Sequence, residues 1–129
     1  MNGIDYKKYS VLFVDDEIPV LKAIKRGLHL EKYNKFFASS GEEALQIMKE
    51  NEISLIVSDM KMPKMDGIQL LKKVNSIKPE IYKIILSGYT STAQIIASIN
   101  LTDIDRFILK PNKTLIRVDF PAPFSPSRA

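Results

Sequence analysis

Asp15 and Asp16 follow the apolar run Val11-Leu12-Phe13-Val14, and Asp59 follows Leu55-Ile56-Val57-Ser58. If both runs are strands of one parallel sheet, the three carboxylates fall at the carboxyl edge of that sheet, where loops form the ligand crevice of open α/β folds. Clustered carboxylates repel one another unless a cation joins them. A set of hard oxygen donors suits Mg²⁺, or Mn²⁺, better than Zn²⁺. The chain has no cysteine and one histidine, so a bound metal must use oxygen ligands or His29. The plainer alternative is that each acid caps the helix after it, since aspartate is a favoured N-cap residue. Two further apolar runs weigh against it. Ile84-Ile85-Leu86 ends in Ser87, whose hydroxyl could bond a phosphoryl oxygen, and Phe107-Ile108-Leu109 ends in Lys110, whose ammonium could stabilise an anion. A turn-forming serine and a solvated lysine explain each singly, but the coincidence of four strand ends does not follow from them.

These residues need a scaffold, and the spacing of apolar residues supplies one. Short apolar runs alternate with stretches of helical period, which predicts a parallel sheet with helices on its faces. Strands are expected at Val11 to Val14, Lys35 to Ala38, Ile53 to Ser58, Ile84 to Leu86 and Arg106 to Leu109. The first is too continuously apolar for an edge strand and should be central. Pro19 stands near the start of a first helix carrying Leu21, Ile24 and Leu28. Ser40-Gly41-Glu42-Glu43 is a capping box ahead of Ala44, Leu45 and Met48, in a second helix that ends near Glu50. Ile68, Leu71 and Val74 form the stripe of a third helix after a loop with Pro63 and Asp66-Gly67, and Thr92 to Ile99 suits a fourth. Right-handed crossovers then give a three-layer, doubly wound α/β domain with a five-stranded parallel sheet in the order 2-1-3-4-5.

The pattern breaks after Lys110-Pro111. A fifth helix is due, but Pro121, Pro123 and Pro126 forbid a regular one over most of 112–129, so helix five is expected to be missing or truncated. We therefore divide the chain into a domain over 1–111 and an atypical, proline-rich segment over 112–129 that reads as disordered or non-native. An uncovered sheet face would leave either a monomer with an exposed apolar patch or an atypical homodimer that buries it.

Composition bounds the function. The 129 residues are 45% hydrophobic and 26% charged, fitting one globular domain with a sizeable core. No segment reads as a secretory leader or a membrane span, which predicts a cytoplasmic protein without a membrane partner. A net charge of +4 raises nucleic acid as a partner. However, Lys22, Lys25, Arg26, Lys49, Lys72, Lys73 and Lys83 lie on several segments without interleaved aromatics, as solvated helix faces do, so nucleic acid is not expected.

Four stretches, VLFVDDE, LIVSDMKMPKMDGIQLL, IILSGY and RFILKP, resemble in order and spacing the signatures of response-regulator receiver domains, across about residues 9 to 111. The resemblance implies a flavodoxin-like fold and a phosphorylation-dependent switch of a two-component system. It implies that Asp59 accepts a phosphoryl group from a sensor histidine kinase or phosphotransfer protein, with Mg²⁺ present. Asp16 and Asp59 match direct metal ligands, Asp15 a ligand through water, and Lys61 a backbone-carbonyl ligand. Lys110 matches the lysine that bonds the acyl phosphate, Ser87 the switch hydroxyl and Phe107 the switch aromatic, here without the phenol of the commoner tyrosine. The family is a signalling module whose only chemistry is its own phosphorylation and slow dephosphorylation, and the output it controls is unknown. The stretch ILSGYTSTAQIIASIN with RFILKP also resembles receivers attached to HD-GYP cyclic-di-GMP phosphodiesterases. Two other readings compete. A haloacid-dehalogenase-like phosphatase also uses an aspartate nucleophile, but requires Asp-x-Asp where this chain has Asp15-Asp16-Glu17. A pseudo-receiver would signal without phosphorylation, which the presence of Asp16, Asp59, Ser87 and Lys110 opposes.

Overall fold

The computed structural model describes residues 5–88 and 104–109. Five parallel strands, β1 (Ser10–Val14), β2 (Asn34–Ala38), β3 (Leu55–Asp59), β4 (Tyr82–Ser87) and β5 (Arg106–Leu109), stand in the order β2-β1-β3-β4-β5. This is the expected doubly wound order, with β1 and β3 adjacent at its centre. The expected fourth helix, and the question of a fifth, fall outside the described residues.

Alternation along the strands divides the core into two layers, because successive side chains of a strand point to opposite faces. Val11, Phe13, Leu55, Val57, Ile84 and Leu86 pack on one face against Leu21, Ile24 and Leu28 of α1 (Ile18–Gly27) and the loop after it. Leu12, Val14, Ile56 and Ile85 pack on the other against Ala44 and Met48 of α2 (Gly41–Glu50) and Leu70, Leu71 and Val74 of α3 (Gly67–Ile77). Each fully buried Val, Leu, Ile, Phe or Met side chain among them contributes roughly 1.5–3 kcal/mol of transfer free energy. Phe13 stacks on Phe37 of β2 with centroids 5.5 Å apart. Tyr33 closes the α1 layer, and its burial, with the charge of Glu31 second, pushes its phenol above the ordinary range.

The caps show how local sequence stops and starts these helices. Ser40 accepts from the Glu43 amide at 3.1 Å, as expected, but the Glu43 carboxylate reaches past Ser40 to the Ser39 amide at 2.7 Å and the Ser39 hydroxyl at 3.0 Å. The box is thus shifted by one residue at its return arm. The complete capping box is at α3: Asp66 accepts from the Gln69 amide, and the Gln69 side chain accepts from the Asp66 amide. In α3 it is Leu70 that is fully buried with Leu71 and Val74, whereas Ile68 is only partly covered.

One expectation fails outright. Lys83, read as a solvated lysine, is 2% exposed. Its ammonium donates to the Ile81 carbonyl at 2.6 Å and the Pro79 carbonyl at 3.3 Å, and pairs with Asp105 at 3.5 Å. Asp105 also accepts from the Lys83 amide at 2.8 Å, and its own amide donates to the Lys83 carbonyl at 2.8 Å. These contacts fasten the entry of β5 to the start of β4, at the edge of the sheet opposite the acids. Asp105→Ala is expected to lower stability by about 1–2 kcal/mol, less than for a wholly buried pair because Asp105 is partly exposed and Lys83 keeps two carbonyls. Urea unfolding checks this, and a midpoint equal to that of wild type would show that the pair adds nothing. Lys83→Met, which keeps the volume and removes the charge, should cost less than Asp105→Ala.

Candidate functional site

The carboxyl ends of β1 and β3 meet in register, Val14 beside Ser58, so the next residues on each strand are neighbours. Asp15 continues the ladder by donating its amide to the Ala38 carbonyl at 3.1 Å, and the residue is 3% exposed. One oxygen of Asp15 accepts from the Glu17 amide at 2.9 Å, which fixes the turn from β1 into α1. Asp16 and Asp59 are half-buried. Asp15, Asp16 and Asp59 each bring a carboxylate oxygen to a common point, all within 4.8 Å of one another. Among the described residues this is the cluster able to hold a metal ion. Its donors are oxygens without sulfur or imidazole, which fits a hard divalent cation. His29 takes no part: it is exposed on the loop after α1, with its ring nitrogen 3.1 Å from the Arg26 carbonyl.

The remaining predicted residues divide between placed and unplaced. The backbone of Ser87 ends β4, one residue beyond Leu86, which pairs with Asp59. Phe107 is half-buried and packs against the α2–α3 layer. Lys61 is exposed in the β3–α3 loop. Lys110 directly follows β5 and lies outside the described residues.

Three features of the site were not read from sequence. Ser58, fully buried, donates its hydroxyl to the Asp59 carbonyl at 2.9 Å. Gly67, at the first turn of α3, lies so close to the end of β3 that an added Cβ would run into the Asp59 carbonyl oxygen and come within 2.9 Å of Ile85 Cδ1. Its amide donates to the Met60 carbonyl at 2.8 Å. The Asp-Gly pair that begins α3 could have signalled this: aspartate caps the helix, and glycine lets its first turn approach the strand. Third, a cleft of about 420 Å³ runs along the loop after Asp59, lined by Met60, Lys61, Met62, Pro63 and Asp66. A second cleft, of about 640 Å³, is lined by Lys22, Lys25, Arg26 and His29 of the α1 segment, all four exposed. No described helix is long and apolar enough to cross a membrane.

Comparison with known proteins gives this geometry a context. The response regulator receiver domain family matches residues 11–117. The chain is 39% identical over 105 residues to the hydrogenase transcriptional regulatory protein HoxA of Cupriavidus necator, covering 81% of this chain and 22% of that protein. It is similar, with a TM-score of 0.73 and 30% identity, to the signal receiver domain of an HD domain-containing protein of Pseudomonas fluorescens, over 80% of this chain and 82% of that one. It is also similar, with a TM-score of 0.72 and 25% identity, to the response regulator TrrA of Thermotoga maritima in complex with Mg²⁺ and BeF, over 81% of this chain and 88% of that one. The chain spans about a quarter or less of the length of the transcriptional regulators it matches. With the parallel order β2-β1-β3-β4-β5 and the match over residues 11–117, the chain belongs to the response regulator receiver domain family.

Proposed function

We propose that the domain is a phosphorylation-dependent switch in which Asp59 is the phosphoacceptor. The observation that carries this reading is the convergence of Asp15, Asp16 and Asp59 within 4.8 Å at the junction of the two central strands. An oxygen of Asp59 attacks the phosphorus of a phosphohistidine on a sensor kinase or phosphotransfer protein. The P–O bond forms as the P–N bond breaks, and the imidazole leaves with the electron pair and takes up a proton. Asp16 and Asp59 would hold Mg²⁺ directly, with Asp15 acting through water and the Lys61 carbonyl completing the protein's share. Such an ion neutralises charge developing on the phosphoryl oxygens.

The protein's own part is positional. The bond from Ser58 and the close packing of Gly67 hold the Asp59 backbone, so its carboxylate is presented from a fixed strand end. The Lys110 ammonium would pair with the new acyl phosphate. The Ser87 hydroxyl would move toward it, and Phe107, already half-buried, would turn further inward to pass the change to an output domain or partner. The switch itself would occupy residues 1–111, with 112–129 outside it.

The test is intact mass after incubation with MgCl₂ and acetyl phosphate. A gain of one phosphoryl group is expected for wild type, with none for Asp59→Asn and none when EDTA is present. A folded wild type that binds Mg²⁺ yet neither gains mass nor releases inorganic phosphate from acetyl phosphate would overturn the reading in favour of a phosphorylation-independent module, whereas phosphate release without mass gain is fast hydrolysis of the same acyl phosphate.

A further inference from the structure

The loop from Asp59 to α3 is fastened at both ends, by the Met60 amide on the Leu86 carbonyl at 3.0 Å and the Gly67 amide on the Met60 carbonyl at 2.8 Å. Its middle is a γ-turn: the Met65 amide donates to the Pro63 carbonyl at 2.7 Å across Lys64, whose φ is 68°. A residue with a Cβ pays about 1–2 kcal/mol for such a left-handed backbone, so the turn persists only where its surroundings hold it. The Met65 side chain supplies that hold. It lies over Gly41 at the first turn of α2, where an added Cβ would stand 2.6 Å from Met65 Sδ, 3.1 Å from Cγ and 3.2 Å from its Cβ. Met65 therefore fills the space that a side chain at position 41 would take. The socket is firm, because the Ser40 and Glu43 caps fix this end of α2 and Ala44 and Met48 bury the helix in the same layer that Met65 joins.

We propose that Met65, seated on Gly41, is a positioning residue for phosphoryl transfer: it fixes residues 60–66, the pocket wall that leaves Asp59, against α2. The proposal rests on Asp59 being the phosphoacceptor. It predicts a reciprocal relation between two residues on different elements, since what matters is the filling of one space from either side.

The test compares Met65→Ala, Gly41→Ala, the double variant and Met65→Leu in the full chain. The readouts are the acetyl phosphate dependence of phosphorylation, the Mg²⁺ dissociation constant by calorimetry, and the melting temperature. Met65→Ala and Gly41→Ala are each expected to slow phosphorylation at saturating donor by about tenfold, the order expected when a reacting group is misplaced by a fraction of an ångström. Both should also weaken Mg²⁺ binding. Met65→Leu should recover most of the rate, and the double variant should be faster than either alanine variant alone, because the methyl group introduced at position 41 refills the vacated space. Wild-type rates and Mg²⁺ affinity in both single variants, with only the melting temperature lowered, would reduce Met65 to core packing and overturn the proposal. Two slow single variants whose effects simply multiply in the double would overturn the shared socket. A wild type that takes up no phosphoryl group fails the phosphoacceptor reading itself, a result distinct from either.

Discussion

Gly67→Ala is expected to lower the stability of the domain by about 3 kcal/mol, the upper end of overpacking costs, and to slow phosphoryl uptake at Asp59 by more than about tenfold. The methyl group has nowhere to go. It would meet the Asp59 carbonyl on one side and Ile85 Cδ1 at 2.9 Å on the other, and the first of these is backbone in a central strand. Neither side can yield cheaply. The Gly67 amide is tied to Met60, the Asp59 carbonyl accepts from buried Ser58, and the Met60 amide continues the ladder to Leu86. Either α3 withdraws, uncovering Leu70, Leu71 and Val74, or the end of β3 is displaced and takes Asp59, the proposed phosphoacceptor, with it. Gly41→Ala provides a contrast in kind, since it meets the Met65 side chain, along Sδ, Cγ and Cβ, rather than a backbone and should cost less stability. Thermal unfolding and the rate of mass gain with acetyl phosphate measure the two effects separately. If Gly67→Ala melts and phosphorylates like wild type, the close approach does not explain glycine at this position.

What could be read from the sequence, and what could not, follows from the range of the interactions involved. The strands were legible because burial on both faces leaves continuous apolar runs, and the acid cluster was legible because those runs end in charge. Edges of elements were less so. β3 was expected from Ile53 to Ser58 but runs from Leu55 to Asp59, because Ile53 is buried in the α2–α3 layer from the loop that precedes the strand, and Ser54 bonds Ser10 ahead of the paired residues. β4 was expected to begin at Ile84, because Tyr82 and Lys83 interrupt the apolar run, yet the ladder already includes both. Lys83 could not be recognised as buried, since the carboxylate that pairs with it arrives from the residue before β5. The same holds in the site. Asp15, Asp16 and Asp59 announce themselves by type and position, whereas the contacts of Gly67 with Asp59 and of Met65 with Gly41 exist only after separate elements have packed.

Asp16→Asn is expected to reverse its rank against wild type when Mg²⁺ is added. Two unit charges about 5 Å apart repel by about 3 kcal/mol at an effective dielectric near 20. The half-exposure of Asp16 and Asp59, the amide that Glu17 gives to Asp15, and the further interactions of Asp15 and Asp59 offset much of this. Removing one charge from the cluster should therefore raise stability in EDTA by about 1 kcal/mol. In excess MgCl₂ the order should invert. A ligand at about one hundred times its dissociation constant stabilises the state that binds it by about 2.7 kcal/mol, and the variant lacks a charged donor with which to gain this. Phosphoryl uptake should fall at the same time by about a hundredfold, within the range of a lost electrostatic contact at a charged transition state. Asp59→Asn cannot separate these effects, because it removes the proposed nucleophile along with the charge. Melting curves in EDTA and in MgCl₂ decide the matter. If Asp16→Asn is the less stable protein in EDTA, the three acids are already balanced by the chain itself, and the case for a cation at this site loses its electrostatic ground. If instead the two curves cross, the wild-type sequence accepts a less stable ion-free state to gain a charged site, and the instability of the cluster is itself a sign of what it holds.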